Sequence, residues 1–185
     1  GDVSALGLLY QWGRKDPFLG SSSINSSGSA ASTGTWNVTY GGSLADAEAN
    51  PMTFHTNFYF PNGSWTTSDV SKSGLDPCPA GWRVPDGGEN GIWAKAGFAD
   101  GSYESRDGGL LFQNNNQSIW YPASGYRYAS GLIESVYSFG HYWSCTDRDG
   151  IQNSYGLYFT RDGDINHSYS ISRYLGCSVR CQKEQ

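Results

Sequence analysis

Charge is what this sequence has least of. Lysine, arginine, aspartate and glutamate make up 16% of its 185 residues, so the lysine- and glutamate-rich surface of a helical cytosolic protein is absent. The balance is acidic, with a net charge of −5 and no basic stripe. Nucleic acid and anionic membrane surfaces are therefore poor candidate partners. No apolar run approaches the ~20 residues that span a bilayer, so direct membrane insertion is not expected. The chain opens at Gly1 without a signal peptide, which leaves open both a mature secreted form and a domain of a longer surface protein.

Metal-binding and catalytic patterns are missing too. The four cysteines, Cys78, Cys145, Cys177 and Cys181, include no Cys-x-x-Cys pair, and no nearby histidine completes a ligand set. Such spacing speaks against zinc and for disulfides in an oxidising compartment. His55, His141 and His167 lie far apart, with no Ser or Cys elbow beside a plausible base. Asp147-x-Asp149-Gly150 and Asp162-Gly163-Asp164 set carboxylates close together. Calcium takes about 6–8 oxygens, however, and Asp-Gly is first of all a turn former. No metal, cofactor or catalytic residue is predicted.

What the chain does have is glycine and aromatics: 25 Gly, 13 Tyr, 8 Phe and 7 Trp, with aromatics at 15%. Abundant Gly, Ser, Asn and Tyr predict short strands joined by long ordered loops, and a core in which large aromatic areas compensate for few aliphatics. One domain over residues 1–185 is expected. Leu6–Trp12 reads as a buried strand, Gly20–Thr35 as a flexible Ser/Gly loop and Trp36–Tyr40 as a short strand. Ser43 can cap a helix over 43–50 that Pro51 ends. Asp86 with Glu89 suggests a second helix reaching Ala96, weakened by Gly87, Gly88 and Gly91. Asp100–Gly109 reads as a loop, and Leu110–Phe112 with Ser118–Tyr121 as strands around an Asn-rich turn.

The most informative stretch is the closing one, His141–Cys181. Strand-like patches at Tyr142–Ser144, Tyr155–Phe159 and Cys177–Cys181 alternate with polar and aromatic linkers read as loops. Asp147, Arg148, Asp149, Asn153, Tyr155, Tyr158, Asn166, His167, Tyr169 and Tyr174 are the candidate ligand-binding residues. Tyrosine supplies amphipathic contact area at low entropic cost, and Asn, Ser and Gly adapt their hydrogen bonds, as in antibody paratopes. The alternative is ordinary loop residues, with Tyr155 or Tyr158 in the core. Arg173, Arg180 and Trp143 are assigned to the scaffold. Trp36, Trp65 and Trp120 are placed in the core, with stacking on a sugar as their alternative.

Several motifs in order carry a family resemblance: LLYQWGRKDPF near the start, ANPMTF at Ala49–Phe54, DPCPAGWRVP at Asp76–Pro85, YWSCT at Tyr142–Thr146 and GCSVRC at Gly176–Cys181. With them the chain resembles the Fibrobacter succinogenes major paralogous domain, a branch of the C-type-lectin-like superfamily found in secreted and surface proteins of Bacteroidetes. The resemblance implies an α+β, C-type-lectin-like fold with two short helices, a small twisted antiparallel sheet and extensive ordered loops. It also implies a Cys78–Cys181 disulfide. Cys145 and Cys177 depart from the family pattern. Their strand parity invites a second disulfide, with two free buried thiols as the alternative. The tripeptides by which sugar-binding C-type lectins chelate calcium are absent.

The closing segment further resembles the variable region of proteins diversified by retroelements. Adenine-directed rewriting does not produce Lys, Glu, Met, Trp or Gln, and residues 144–181 hold none of the first four and only Gln152 of the last. The expected function is that of a ligand-binding module, not an enzyme, secreted or on a bacterial or phage surface, with a lipoprotein anchor as one option. Its expected partner is a protein or glycan on another cell. A structural or adhesin-tip domain is the alternative. An oxidase like the formylglycine-generating enzymes, using Cys145 and Cys177, is the second alternative, and no motif of that enzyme is present.

Overall fold

The structure is a computed structural model that describes residues 6–24, 30–32, 37–66, 71–99, 103–114 and 116–184. In these residues the chain is mixed α+β, mostly sheet, with two short helices. The first third holds β1 (Leu8–Gln11), β2 (Phe18–Leu19), β3 (Ser21–Ile24), β4 (Ala30–Ser32), β5 (Asn37–Tyr40), α1 (Leu44–Ala49) and β6 (Thr53–Thr56). The middle holds β7 (Trp82–Arg83), α2 (Ile92–Lys95), β8 (Tyr103–Arg106), β9 (Gly109–Asn114), β10 (Gln117–Pro122), β11 (Tyr126–Arg127) and β12 (Ile133–Glu134). The end holds β13 (Phe139–Arg148), β14 (Asn153–Thr160), β15 (Ile165–Ser172), β16 (Gly176–Ser178) and β17 (Gln182–Lys183).

The main sheet runs β12-β11-β16-β13-β14-β15, with β1 attached to β16 and β2 to β1. The first long strand thus zips onto one of the last, Tyr10 opposite Cys177. A separate meander, β10-β9-β8, and the small pairs β7–β17, β3–β4 and β5–β6 complete the architecture. No helix among the described residues is long and apolar enough to cross a membrane.

Local chemistry explains most elements. The Ser43 hydroxyl accepts the Asp46 amide and donates to the Asp46 carboxylate, as a capping residue should. The second helix is shorter than the sequence predicts. It spans Ile92–Lys95 behind Gly91, which offers no side-chain cap. Asp86 receives the Arg83 guanidinium instead. The glycines before this helix serve packing. A Cβ on Gly87 would sit 2.3 Å from Ser144 Oγ, and Gly88 holds φ +75° against the Tyr155 ring.

Three segments read as loops contain strands. Ser21–Ile24 pairs with Ala30–Ser32, the rest of that Ser/Gly stretch (25–29 and 33–36) lying outside the described residues. Tyr103–Arg106 pairs with β9. The linkers of the closing segment join β14 and β15, eight residues each. In each case a partner strand supplies the backbone hydrogen bonds, and pairing overrides the weak propensity of Ser, Asn and Gly.

Two buried clusters sandwich β13–β15. One gathers Trp12, Phe60, Trp65, Val84, Trp143 and Ile171 with Cys145 and Cys177. The other gathers Trp93, Phe98, Leu110, Phe112, Tyr121, Tyr142, Leu157 and Phe159. Burying indoles requires partners for their N–H groups. Trp12 Nε1 donates to the Ser144 carbonyl at 2.9 Å, Trp65 Nε1 to Arg14 at 3.1 Å and Trp143 Nε1 to Tyr10 at 2.8 Å. Trp65 and Trp143 are therefore core, Trp120 is half-buried, and Trp36 lies outside the described residues.

Cys78 and Cys181 form a disulfide across 103 residues. The second pairing suggested by parity is not formed: Cys145 and Cys177 are both free and buried. Both belong to the same core, but the strand register keeps them apart. Tyr142 pairs in parallel with Ser178, which sets Cys177 beside His141. Cys145 lies four residues further along β13, roughly 13 Å at ~3.3 Å per residue. A disulfide bridges Cα atoms no more than about 7 Å apart.

Candidate functional site

The pairing of β13, β14 and β15 decides what the closing segment displays. Trp143 faces Gly156, His141 faces Tyr158, and Gly156 and Tyr158 face Tyr169 and Asn166. Alternation then puts Trp143, His141, Gly156, Tyr158, Ile171 and Tyr169 on one face, and Tyr142, Leu157, Phe159 and Tyr155 on the other. A Cβ on Gly156 would lie 2.4 Å from the Ile171 side chain, so glycine is what lets the sheet and its core approach. The Trp143–Ile171 end of the first face is covered by core. Further along, that face opens to solvent, and its residues are aromatic.

His141 is the centre of this opening. A bridge between Gly125 and Gly140 brings β11 alongside β13. Tyr126, Tyr158, Tyr169 and Phe139 then surround the imidazole at centroid distances of 4.8, 5.1, 6.1 and 6.3 Å. Tyr158 and Tyr169 are themselves stacked at 4.7 Å. The rings bound a cleft of about 330 Å³, closed by Tyr128, Ile171 and Leu175 and edged by Asn153, Ser170 and Ser172. Among the described residues no Asp, Glu, Lys or Arg lines it. Burial pushes the phenols of Tyr126 and Tyr158 up, and Glu134 adds to the effect at Tyr126. Both stay protonated and able to donate.

His141 is 6% exposed, and its Nδ1 has no hydrogen-bond partner among the described residues. Leaving a buried polar atom bare costs ~1–3 kcal/mol. Burial lowers its pKa from 6.5 to about 4. An unfolded chain therefore takes up a proton near pH 6.5 that the folded one refuses until about pH 4. The contribution is intact above pH 6.5 and is lost as pH falls toward 4. That gap corresponds to roughly 3 kcal/mol. In urea titrations between these pH values His141→Phe is expected to flatten the acid loss of stability. An unchanged slope would mean that the imidazole titrates freely in the folded chain.

The ten residues predicted to bind ligand are divided by the fold. Asn153, Tyr158 and Tyr169 meet in the aromatic cleft. Tyr174 stands 6.0 Å from Tyr59. Tyr155 belongs to the opposite face, with the Arg148 guanidinium 5.0 Å above its ring and tied to Asp149 and to the Ser168 carbonyl. Asn166 and His167 bond the amide and hydroxyl of Ser168, at an irregularity of β15. Asp147 is structural: its carboxylate takes Arg173 Nη2 at 2.6 Å. Burial raises the Asp147 pKa despite that cation. Asp149 (φ 50°) and Gly150 (φ 79°) shape the hairpin turn, where Asp-Gly belongs.

Sequence reasoning missed Tyr126, Tyr128, Phe139 and His141. A signal was there for two of them: Phe139 and His141 share parity with Trp143 and so occupy one strand face.

Two other features bear on function. A larger cleft, about 710 Å³, contains Lys72, Arg83, Lys95 and Lys183. Lys72 Nζ already donates to the Pro79 and Trp82 carbonyls, and Arg83 is held by Asp86. Cys145 is buried beside Asp86, and burial first, then that carboxylate, pushes its thiol up to about 12. Comparisons with protein-family models, curated proteins and solved structures each found no significant match.

Proposed function

We propose that this chain is a ligand-binding module of the C-type-lectin-like kind, and that the open end of the β13–β15 sheet, with Tyr126 of β11, is its binding face. The observation that carries the reading is the ring of half-exposed aromatics around His141, on strands anchored by core on both faces. Binding surfaces need rigid amphipathic anchors, and tyrosine on a fixed sheet provides them at little entropic cost. The partner is a protein or glycan on a cell surface, and the setting is a secreted or surface-bound protein of a bacterium or phage. The ordered motifs, the disulfide and the residue usage of 144–181 support the family likeness and retroelement diversification. Cys145 and Cys177 are both buried and held apart by the strand register, which favours binding over an oxidase that uses the two as a pair.

The test is an array of glycans and surface proteins. The combined variant Tyr126→Ala, Tyr158→Ala, Tyr169→Ala is expected to weaken any specific partner by more than roughly 100-fold, since central aromatic anchors are each worth about 2 kcal/mol. The pair Tyr155→Ala and His167→Ala is expected to leave it within a few fold. Retained binding in the triple variant, with near-ultraviolet circular dichroism showing an intact core, would place the face elsewhere.

A further inference from the structure

Resting on that binding face, we infer that the cleft over His141 receives one neutral, hydroxyl-bearing sugar ring, a pyranose unit of a glycan, without calcium. Three features select this chemistry. First, no Asp, Glu, Lys or Arg is among the described residues lining the cleft, and Glu134, behind Tyr126, already accepts from that phenol at 3.3 Å, so the lining offers a charged sugar or a cationic side chain no free counter-ion. Second, four tyrosines line it, and a phenol can both donate and accept, the Tyr126 hydroxyl already donating to Glu134. The imidazole beneath them keeps Nδ1 unpartnered. A purely aromatic guest would desolvate the phenols and return no hydrogen bonds, whereas ring hydroxyls satisfy them. Third, the stacked Tyr158–Tyr169 pair gives the cleft a rigid aromatic wall, and about 330 Å³ is the size of a site for a single small ring.

Asp147 does not compete for a cation here, since it is committed to Arg173. Asp164, which lies near enough to Tyr158 to raise its pKa, is outside the cleft lining. Recognition thus runs through stacking and neutral hydrogen bonds. Affinity for one ring is expected on the order of 1 mM, as ligand efficiency allows for a dozen-atom polar ligand.

The experiment titrates the full chain with methyl pyranosides of glucose, galactose, mannose and fucose and with N-acetylglucosamine, in the presence of a calcium chelator. Glucuronic acid, glucosamine and indole serve as charged and aromatic counterparts. Saturation transfer from tyrosine ring protons reads binding. At least one neutral pyranoside is expected to bind and to exceed its charged counterparts at least tenfold. Tyr158→Phe and Tyr169→Phe, which keep the rings and the fold, are each expected to weaken it roughly tenfold by removing a hydrogen bond. No transfer to any neutral pyranoside, preference for a charged sugar, or tighter binding of indole would each overturn the inference. Its failure is separable from that of the binding face. An array partner that still binds after enzymatic removal of its glycans, yet is lost in the triple alanine variant, keeps the face and removes the sugar.

Discussion

Arg173→Ala is expected to be the most damaging single substitution in the chain, at about 3–5 kcal/mol of folding stability. Arg173 has no exposed surface. Its Nε donates to Ser154 Oγ at 2.8 Å, Nη1 to the Phe60 carbonyl at 3.0 Å and to Asn62 Oδ1 at 2.7 Å, and Nη2 to Asp147 at 2.6 Å. The guanidinium also stacks 3.9 Å above Trp12. One side chain therefore ties together the β13–β14 hairpin, the connection after β15, the loop after β6 and the first tryptophan. Removing it strands the Asp147 carboxylate and uncaps several buried acceptors, which costs more than the net worth of the bonds. Arg173→Lys is expected to recover only part of the loss, because a point charge cannot reproduce a planar fork. Urea midpoints at constant slope check this, and a loss below about 1 kcal/mol for Arg173→Ala would show the network dispensable.

The second large effect is expected from Cys78→Ala with Cys181→Ala. The bridge spans 103 residues. Closing a loop of that length in the unfolded chain is worth up to about 4.7 kcal/mol. Near the bridge other devices persist: Asp76 accepts the amides of Cys78 and Val84, both at 2.8 Å, and β7 pairs with β17. The folded geometry of this corner is therefore expected to survive reduction while stability falls. Thermal unfolding with and without reductant measures it. Equal midpoints would mean that the bridge closes a loop the unfolded chain already holds compact.

These two sites show what a sequence discloses and what it withholds. The Ser43 cap, the strand at Leu8–Gln11 and the hairpin of β9 and β10 follow from local chemistry, and local chemistry is written residue by residue. The Cys78–Cys181 bridge was legible only through family resemblance. Register is not local. Parity put Cys145 and Cys177 toward one core, yet the single pairing of Tyr142 with Ser178 separates them. The same limit governs the binding face. Tyr158, Tyr169 and Asn153 stood out among the polar and aromatic residues of the closing segment. His141 did not, because its packing against Tyr126 comes through a strand contact that no periodicity encodes. Strands of Ser and Ala such as β3 and β4 were hidden for a related reason: their partners, not their propensities, make them strands.

The zipping of β1 onto β16 has a consequence for synthesis. Leu9 pairs with Ser178, so β1 waits for a strand made more than 160 residues later. The strands β7 and β11 also wait, for β17 and β16 respectively. At about 5–20 residues per second the ribosome needs roughly 10–40 s to deliver the closing strands. Until then β1 and its apolar neighbours remain an open edge beside a growing chain. Folding dominated by such distant pairings is slow once it begins. A chain of this design therefore depends on whatever shields β1 during translation, and its yield is expected to respond to that shielding more than to point changes on its proposed binding face.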